Sequence, residues 1–200
     1  MSPEPDTAES KASIRARMRE ALDQLTPAAR AADSALLRDR LGADPEFRAA
    51  GWVLGFIPLR SEPDLLSLIT AAAAAGRTVL LPRWDPAAGE YFPAIAPHDG
   101  SLVPGPFGIP QPAPEAAAVP HDRLDLILVP GLAFDREGRR IGRGKGFYDR
   151  LLAKAPQARK WGVAFDLQIV DEIPIETHDV NLDRIATPSR WLQPGTAGNR

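Results

Sequence analysis

The chain predicts an α/β fold: a mostly parallel sheet with helices on both faces, introduced by a helical hairpin. Three observations carry this expectation. Short continuous apolar runs recur at Trp52–Ile57 (WVLGFI), Thr78–Pro82 (TVLLP), Leu124–Val129 (LDLILV) and Trp161–Phe165 (WGVAF), the pattern of strands buried on both faces. Helical patterns follow several of these runs, so successive strands are joined by crossovers and run parallel. A 200-residue chain with 44% hydrophobic residues can bury one large core.

Taken in order, residues 1–10 are polar and proline-containing and read as a disordered leader. From Lys11, the residues Ile14, Met18, Leu22 and Leu25 share one helical face, and Lys11 and Arg15, four apart, project together. That pair is either a solvated basic edge, which spacing alone favours, or a binding pair. Thr26-Pro27 caps a second helix whose apolar face reads Ala32, Leu36, Leu37 and Leu41, ending at Gly42. After the first strand, Ser61-Glu62-Pro63 opens a helix through about Ala75, with Gly76 as its stop and Thr78–Pro82 as the next strand. Glu62 therefore lies on the side of the sheet where open α/β proteins bind ligands, either as a functional acid or as a helix-start acid. Tyr91–Ile95 reads as a possible strand, and Pro104–Pro114 (PGPFGIPQPAP) as a rigid extended segment in which Phe107 offers a flat apolar face. Phe147–Lys154 reads as a helix stopped by Pro156, and Ile185–Ala186 with Trp191–Leu192 as the last strand material. Residues 11–193 thus form a single domain of Rossmann-like α/β type, and 194–200 a flexible tail.

Composition excludes several functions. No cysteine is present, which removes disulfides, thiolate zinc sites and cysteine nucleophiles, and His98, His121 and His178 show no zinc-ligand spacing. A net charge of −2 offers no general attraction to nucleic acid. No apolar run reaches the roughly 20 residues of a membrane span, and MSPEPDTAES lacks the basic start of a signal peptide, so a cytoplasmic protein is expected.

The chemistry concentrates in Leu126–Leu152 (LILVPGLAFDREGRRIGRGKGFYDRLL). Between Asp135 and Gly146 five basic residues, Arg136, Arg139, Arg140, Arg143 and Lys145, face two acids. Gly142, Gly144 and Gly146 alternate with long cations, so backbone N–H groups can approach an anion while the side chains close around it. The loop matches neither the Walker A nor the dinucleotide fingerprint. Asp149, at the following helix start, is either a helix-terminal acid or a hard oxygen ligand for Mg2+ beside a phosphate. Thr177-His178-Asp179, with Asp183 four residues on, either completes such a site or forms a surface turn.

The run VPGLAFDREGRRIGRGKGFYDRLL, flanked in order by KASIR, SEPD, GRTVLLPR, GIPQP and DLQIVDEIPIETHDVNLDRIATP, resembles the 5-formyltetrahydrofolate cyclo-ligase family from Lys11 to Trp191. The chain departs from that pattern at Leu65, where threonine is usual, at Phe147 (tyrosine) and at Gln111 (glutamate). The resemblance implies ATP- and Mg2+-dependent ring closure of 5-formyltetrahydrofolate, with no protein nucleophile. It further implies ATP contacts from Lys11, Arg15, Arg140, Ile141, Gly142, Arg143, Gly144, Lys145, Gly146, Phe147 and Tyr148. Lys145, Arg143 and Tyr148 would be catalytic, Ile57, Glu62, Phe107 and Tyr148 would contact the folate, and Asp149 and Asp179 would hold the metal. A monomer acting on a small molecule, with no nucleic acid or membrane partner, is expected. Another phosphotransferase on the same scaffold, or a nucleic-acid binder using the Arg/Gly loop, are the alternatives.

Overall fold

The computed structural model describes residues 9–177 and 179–195. Most of the expected leader, residues 1–8, most of the expected tail, residues 196–200, and His178 lie outside the described residues. The leader's last two residues are ordered, because Ser10 caps the first helix, its Oγ accepting from Ser13 N at 3.2 Å, while Glu9 pairs with Arg17 at 2.7 Å.

Helix α1 (Lys11–Gln24) buries Ile14, Met18 and Leu22. Helix α2 (Pro27–Ala43) starts where Thr26 Oγ1 accepts from Ala29 N at 3.1 Å. Its buried face is Ser34, Leu37 and Leu41; Ala32 is exposed and Leu36 is 52% exposed. The apolar stripe of α2 is therefore narrower than the sequence suggests, since Leu36 stands one residue, about 100°, off it. A short helix α3 (Pro45–Ala49), not expected from the sequence, is set by Asp44, whose carboxylate accepts from Glu46 N and Phe47 N.

The strands follow as β1 (Trp52–Leu54), then helix α4 (Leu66–Ala74), β2 (Thr78–Asp85) and β3 (Glu90–Ile95). Next come β4 (Val103–Pro104), β5 (Pro110–Gln111), β6 (Leu126–Val129), β7 (Ala133–Phe134) and β8 (Arg140–Ile141). Helix α5 (Phe147–Ala153) and strands β9 (Arg159–Val163), β10 (Arg184–Ala186) and β11 (Trp191–Leu192) complete the chain. Seven strands form the main sheet in the order β11-β10-β9-β6-β1-β2-β3. The five central strands are parallel, and each edge is closed by an antiparallel strand. The chain moves outward from β1 to β2 and then returns to lay β6 on the other side of β1. At such a reversal the connections leaving two neighbouring strands diverge, and a crevice opens outside their carboxyl ends.

Alternate strand residues feed two cores, as a period of two requires. Val53, Val79, Leu126 and Leu128 pack with α1 to α4, while Leu54, Leu80, Ile127 and Val129 pack with Leu151 and Leu152 of α5. Among the described residues α-helices cover both faces, α1 to α4 on one and α5 on the other. The stretch between β2 and β6 forms no α-helix, only the single 3-10 turns Pro106–Gly108 and His121–Arg123, because its prolines cannot continue a helix; Pro93 sits in edge strand β3, where a missing donor is tolerated.

Three expectations need correction. Helix α4 begins at Leu66, not at Ser61, because residues 59–62 are held in a tight turn by Glu62, and Asp64 Oδ1 accepts from Leu66 N at 2.9 Å. The segment expected to be extended from Pro104 folds back as the β4–β5 hairpin, with Phe107 at its tip in the left-handed region (φ 60). The stretch between β6 and α5 is partly paired: β7 and β8 run antiparallel, and Leu132 N donates to Ile141 O at 2.7 Å.

Candidate active site

A cavity of about 480 Å3 opens at the carboxyl ends of β1 and β6, with Phe56 and Ile57 beyond the first and Pro130 and Gly131 beyond the second. Lys11 and Arg15 reach it from α1, Glu62 from the turn before α4, and Phe107 from the hairpin. Arg140, Gly142, Arg143, Gly144, Lys145 and Gly146 enclose it, Phe147, Tyr148 and Asp149 follow from the first turn of α5, and Asp179 closes the rim. Residues separated by up to 168 positions in sequence thus converge on one space. Ile141 is the exception: it is 1% exposed, its side chain joins the core, and it does not line the cavity.

The loop takes this shape for local reasons. Gly144 (φ 96) and Gly146 (φ 64) adopt left-handed backbone that side-chain-bearing residues avoid, and Gly146 immediately precedes α5. Arg15 fastens the loop from outside, its Nε donating to Gly142 O at 3.1 Å. Beneath it, Gln168 is fully buried and donates to the carbonyls of Gly131 (2.7 Å) and Leu132 (3.3 Å) while accepting from Phe165 N, which fixes the strand end at the cavity floor. No sequence pattern singled out Gln168. The five-cation cluster divides: Arg140, Arg143 and Lys145 line the cavity, whereas Arg139 pairs with Asp135, Glu137 and Glu172, and Arg136 is exposed elsewhere.

The charged groups form opposed pairs. Lys11 Nζ lies 2.7 Å from Asp179 Oδ2 and 3.2 Å from Glu176 Oε2. Arg140 Nη2 lies 2.6 Å from Asp149 Oδ1. Arg143 Nε donates to Glu62 Oε1 at 3.2 Å and its Nη2 to Ser61 Oγ at 2.7 Å. Glu176 was not foreseen; only its place three residues before Asp179 could have suggested it. Asp183 does not join the acids at the cavity, since its Oδ2 accepts from Lys160 N at 2.7 Å.

Burial shapes the titration of two groups. Removal from water raises the Glu62 carboxyl above its ordinary value, against the opposing hydrogen bond from Leu59 N and the charge of Arg143. Burial also raises the Tyr148 hydroxyl, assisted by the charge of Glu62 and opposed by Arg140, so this group stays a neutral phenol and can donate a hydrogen bond.

The other wall is aromatic. Trp84, Tyr91, Phe107 and Phe147 pack edge to face or tilted, with ring centroids 5.2–5.9 Å apart. Gln111 Oε1 accepts from Trp84 N at 2.9 Å and ties the hairpin to this cluster. Phe107 is 63% exposed above the cavity. One side of the space therefore suits an anion and the other a flat ring.

The profile of the 5-formyltetrahydrofolate cyclo-ligase family matches residues 7–188. The chain belongs to that family. A 5-formyltetrahydrofolate cyclo-ligase from Mycolicibacterium smegmatis is 40% identical over 70% of this chain and 75% of its own length. One from Escherichia coli is 34% identical over 76% of this chain and 85% of its own. Among solved structures, the NMR structure of Aquifex aeolicus 5,10-methenyltetrahydrofolate synthetase superposes with a TM-score of 0.83 at 29% identity, covering 95% of each chain. The cyclo-ligase fold is thus the α/β architecture described above, with its mostly parallel sheet.

As a test of whether this cyclo-ligase chain could hold Mg2+, no group of three or more His, Cys, Asp or Glu suited to a metal occurs among the described residues. Mg2+, however, commonly takes one or two carboxylates and completes its shell with water and phosphate oxygens. Asp149 meets that requirement: Arg140 occupies Oδ1, and no described residue engages Oδ2. Asp149 could thus supply one carboxylate oxygen to such a metal.

Proposed function

We propose that this protein closes the ring of 5-formyltetrahydrofolate to 5,10-methenyltetrahydrofolate, consuming ATP with Mg2+ and releasing ADP and phosphate. The carrying observation is the meeting of Arg143, Lys145, Lys11 and Arg15 with Glu62 and Phe107 around one cavity, its basic wall facing an aromatic one.

The formyl oxygen attacks the γ-phosphorus, the bond to the β-phosphate oxygen breaks, and ADP leaves. N10 then attacks the resulting iminium carbon and loses its proton, and the C–O bond breaks to release phosphate. Arg143 and Lys145 stabilise charge growing on the transferred phosphoryl oxygens, the largest contribution open to a site of this kind. Lys11, Arg15 and the loop from Gly142 through Gly144 and Gly146 to Phe147 and Tyr148 hold the nucleotide. Tyr148, kept protonated by its burial, donates to the formyl oxygen and orients it. Glu62 accepts from the donor edge of the pterin, beside Ile57, and Phe107 covers the ring. Asp149 and Asp179 would hold Mg2+, which when bound supplies charge neutralisation at the phosphates. A monomer working in the cytoplasm is part of the same reading. No helix among the described residues is long and apolar enough to cross a membrane.

The test is incubation of the purified protein with ATP, Mg2+ and 5-formyltetrahydrofolate while following the absorbance of the methenyl product. Folded protein that forms none would overturn the proposal, and ATP consumption with a different amide or carboxylate substrate would identify another phosphotransferase.

A further inference from the structure

Arg140 stands apart from the other cavity cations. Its side chain is 4% exposed, whereas that of Arg143 is 38% exposed and Lys145 is exposed. The guanidinium lies across the cavity floor with its donors directed into protein: Nη2 to Asp149 Oδ1 at 2.6 Å and Nη1 to Pro130 O at 3.4 Å. Nε is buried with no partner among the described residues. Its Cζ also lies 5.7 Å from the centre of the Tyr148 ring. Two glycines make room for this side chain. A Cβ on Gly142 would come within 2.8 Å of Nη1, and one on Gly131 within 3.0 Å of Cγ. A buried guanidinium is unfavourable unless paired, and removing one partner of such a pair leaves the other uncompensated.

We propose that Arg140 is a positioning residue: it acts through Asp149, whose carboxylate it fixes with Oδ2 directed to the nucleotide's metal, and it does not itself bind the phosphates. The proposal rests on the reading of the cavity as an ATP and Mg2+ site, and it takes Arg140 out of the ATP contacts that the family resemblance implies. A fork-shaped cation is needed because one group must meet both Asp149 and the Pro130 carbonyl. A lysine ammonium is a point charge on a flexible stem and cannot hold that geometry. Partners that orient a metal ligand change metal affinity by about 10- to 100-fold when replaced.

The experiment is calorimetric titration of ATP into the whole chain, in EDTA and with saturating Mg2+, for the wild type, Arg140→Lys, Asp149→Asn and the double variant. In Arg140→Lys, Mg2+-free ATP affinity is expected to stay within about threefold of wild type while the gain in affinity conferred by Mg2+ falls about tenfold or more. The double variant should be no worse than Asp149→Asn alone. A tenfold loss of Mg2+-free ATP affinity in Arg140→Lys would mark a direct phosphate contact and overturn the proposal. Loss of the Mg2+ gain in Asp149→Asn with its retention in Arg140→Lys overturns the proposal alone. Retention in Asp149→Asn removes the metal-ligand reading and the proposal with it. Gly142→Ala tests the same point with the charge left in place, because the added methyl displaces the guanidinium at a backbone conformation open to alanine. Should Arg140→Lys not fold, Gly142→Ala carries the test through the Mg2+ gain alone: a fall of about tenfold or more is expected, and a gain kept at the wild-type value overturns the proposal.

Discussion

Replacing Lys145 with alanine separates catalysis from stability more cleanly than any other substitution at the cavity. Lys145 is exposed, and its ammonium makes no hydrogen bond or ion pair among the described residues; only its carbonyl is engaged, by Arg150 at 3.3 Å. The fold therefore has little invested in the side chain, and unfolding free energy should change by less than about 0.5 kcal/mol. If the ammonium meets the phosphoryl group in flight, its loss removes a charge-assisted contact of about 2–3 kcal/mol, or about 30- to 150-fold in kcat. The Michaelis constant for 5-formyltetrahydrofolate should change little, because the contact is made to phosphate. Thermal unfolding and steady-state kinetics on the same preparation give all three quantities. A kcat within about threefold of wild type, in a protein that melts normally, would remove Lys145 from the transfer step.

Three further outcomes follow. Glu62→Gln should raise stability relative to wild type more at neutral than at acid pH. The folded carboxyl titrates above its unfolded value of about 4.5, so the native state holds a proton that the unfolded chain has released, and wild-type stability falls as pH rises through that interval; a melting-temperature difference independent of pH would contradict this. Phe107→Gly removes the ring but also relieves a non-glycine residue at φ 60, so the melting temperature should move little while the Michaelis constant for the folate rises about tenfold and that for ATP does not; equal effects on both constants would refute the assignment. Asp44→Ala should cost about 2–4 kcal/mol with kcat unchanged. Asp44 caps α3 and lies 3.0 Å from Arg184, whose guanidinium packs against the Trp161 and Trp191 rings, and chemical denaturation measures the loss.

The buried strands were legible because each is a continuous apolar run, and α1 because Ile14, Met18 and Leu22 repeat at steps of four. Their ends were less so: β9 begins two residues before Trp161, since Arg159 pairs with Leu126 through the backbone, which side-chain hydrophobicity does not report. The two-residue strands β7 and β8 carry no periodicity at all, and the β4–β5 hairpin depends on Phe107 taking a conformation usually left to glycine. At the cavity, residue types marked the loop, whereas spacing favoured a solvated edge for Lys11 and Arg15 and left Glu62 and Asp149 open as helix-start acids; the family resemblance was what pointed to these four. The sequence could not show that Arg140 turns inward while Arg143 and Lys145 stay exposed, because that depends on the space left by Gly131 and Gly142. Nor could it show Tyr91 or Gln168 at the site, which distant pairings alone bring there.

The account turns on direct attack of the formyl oxygen on the γ-phosphorus, and an isotope can follow that oxygen. With 18O in the formyl group of 5-formyltetrahydrofolate, mass spectrometry of the released phosphate should find one labelled oxygen per phosphate and none in ADP. Unlabelled phosphate accompanying full formation of the methenyl product would contradict it.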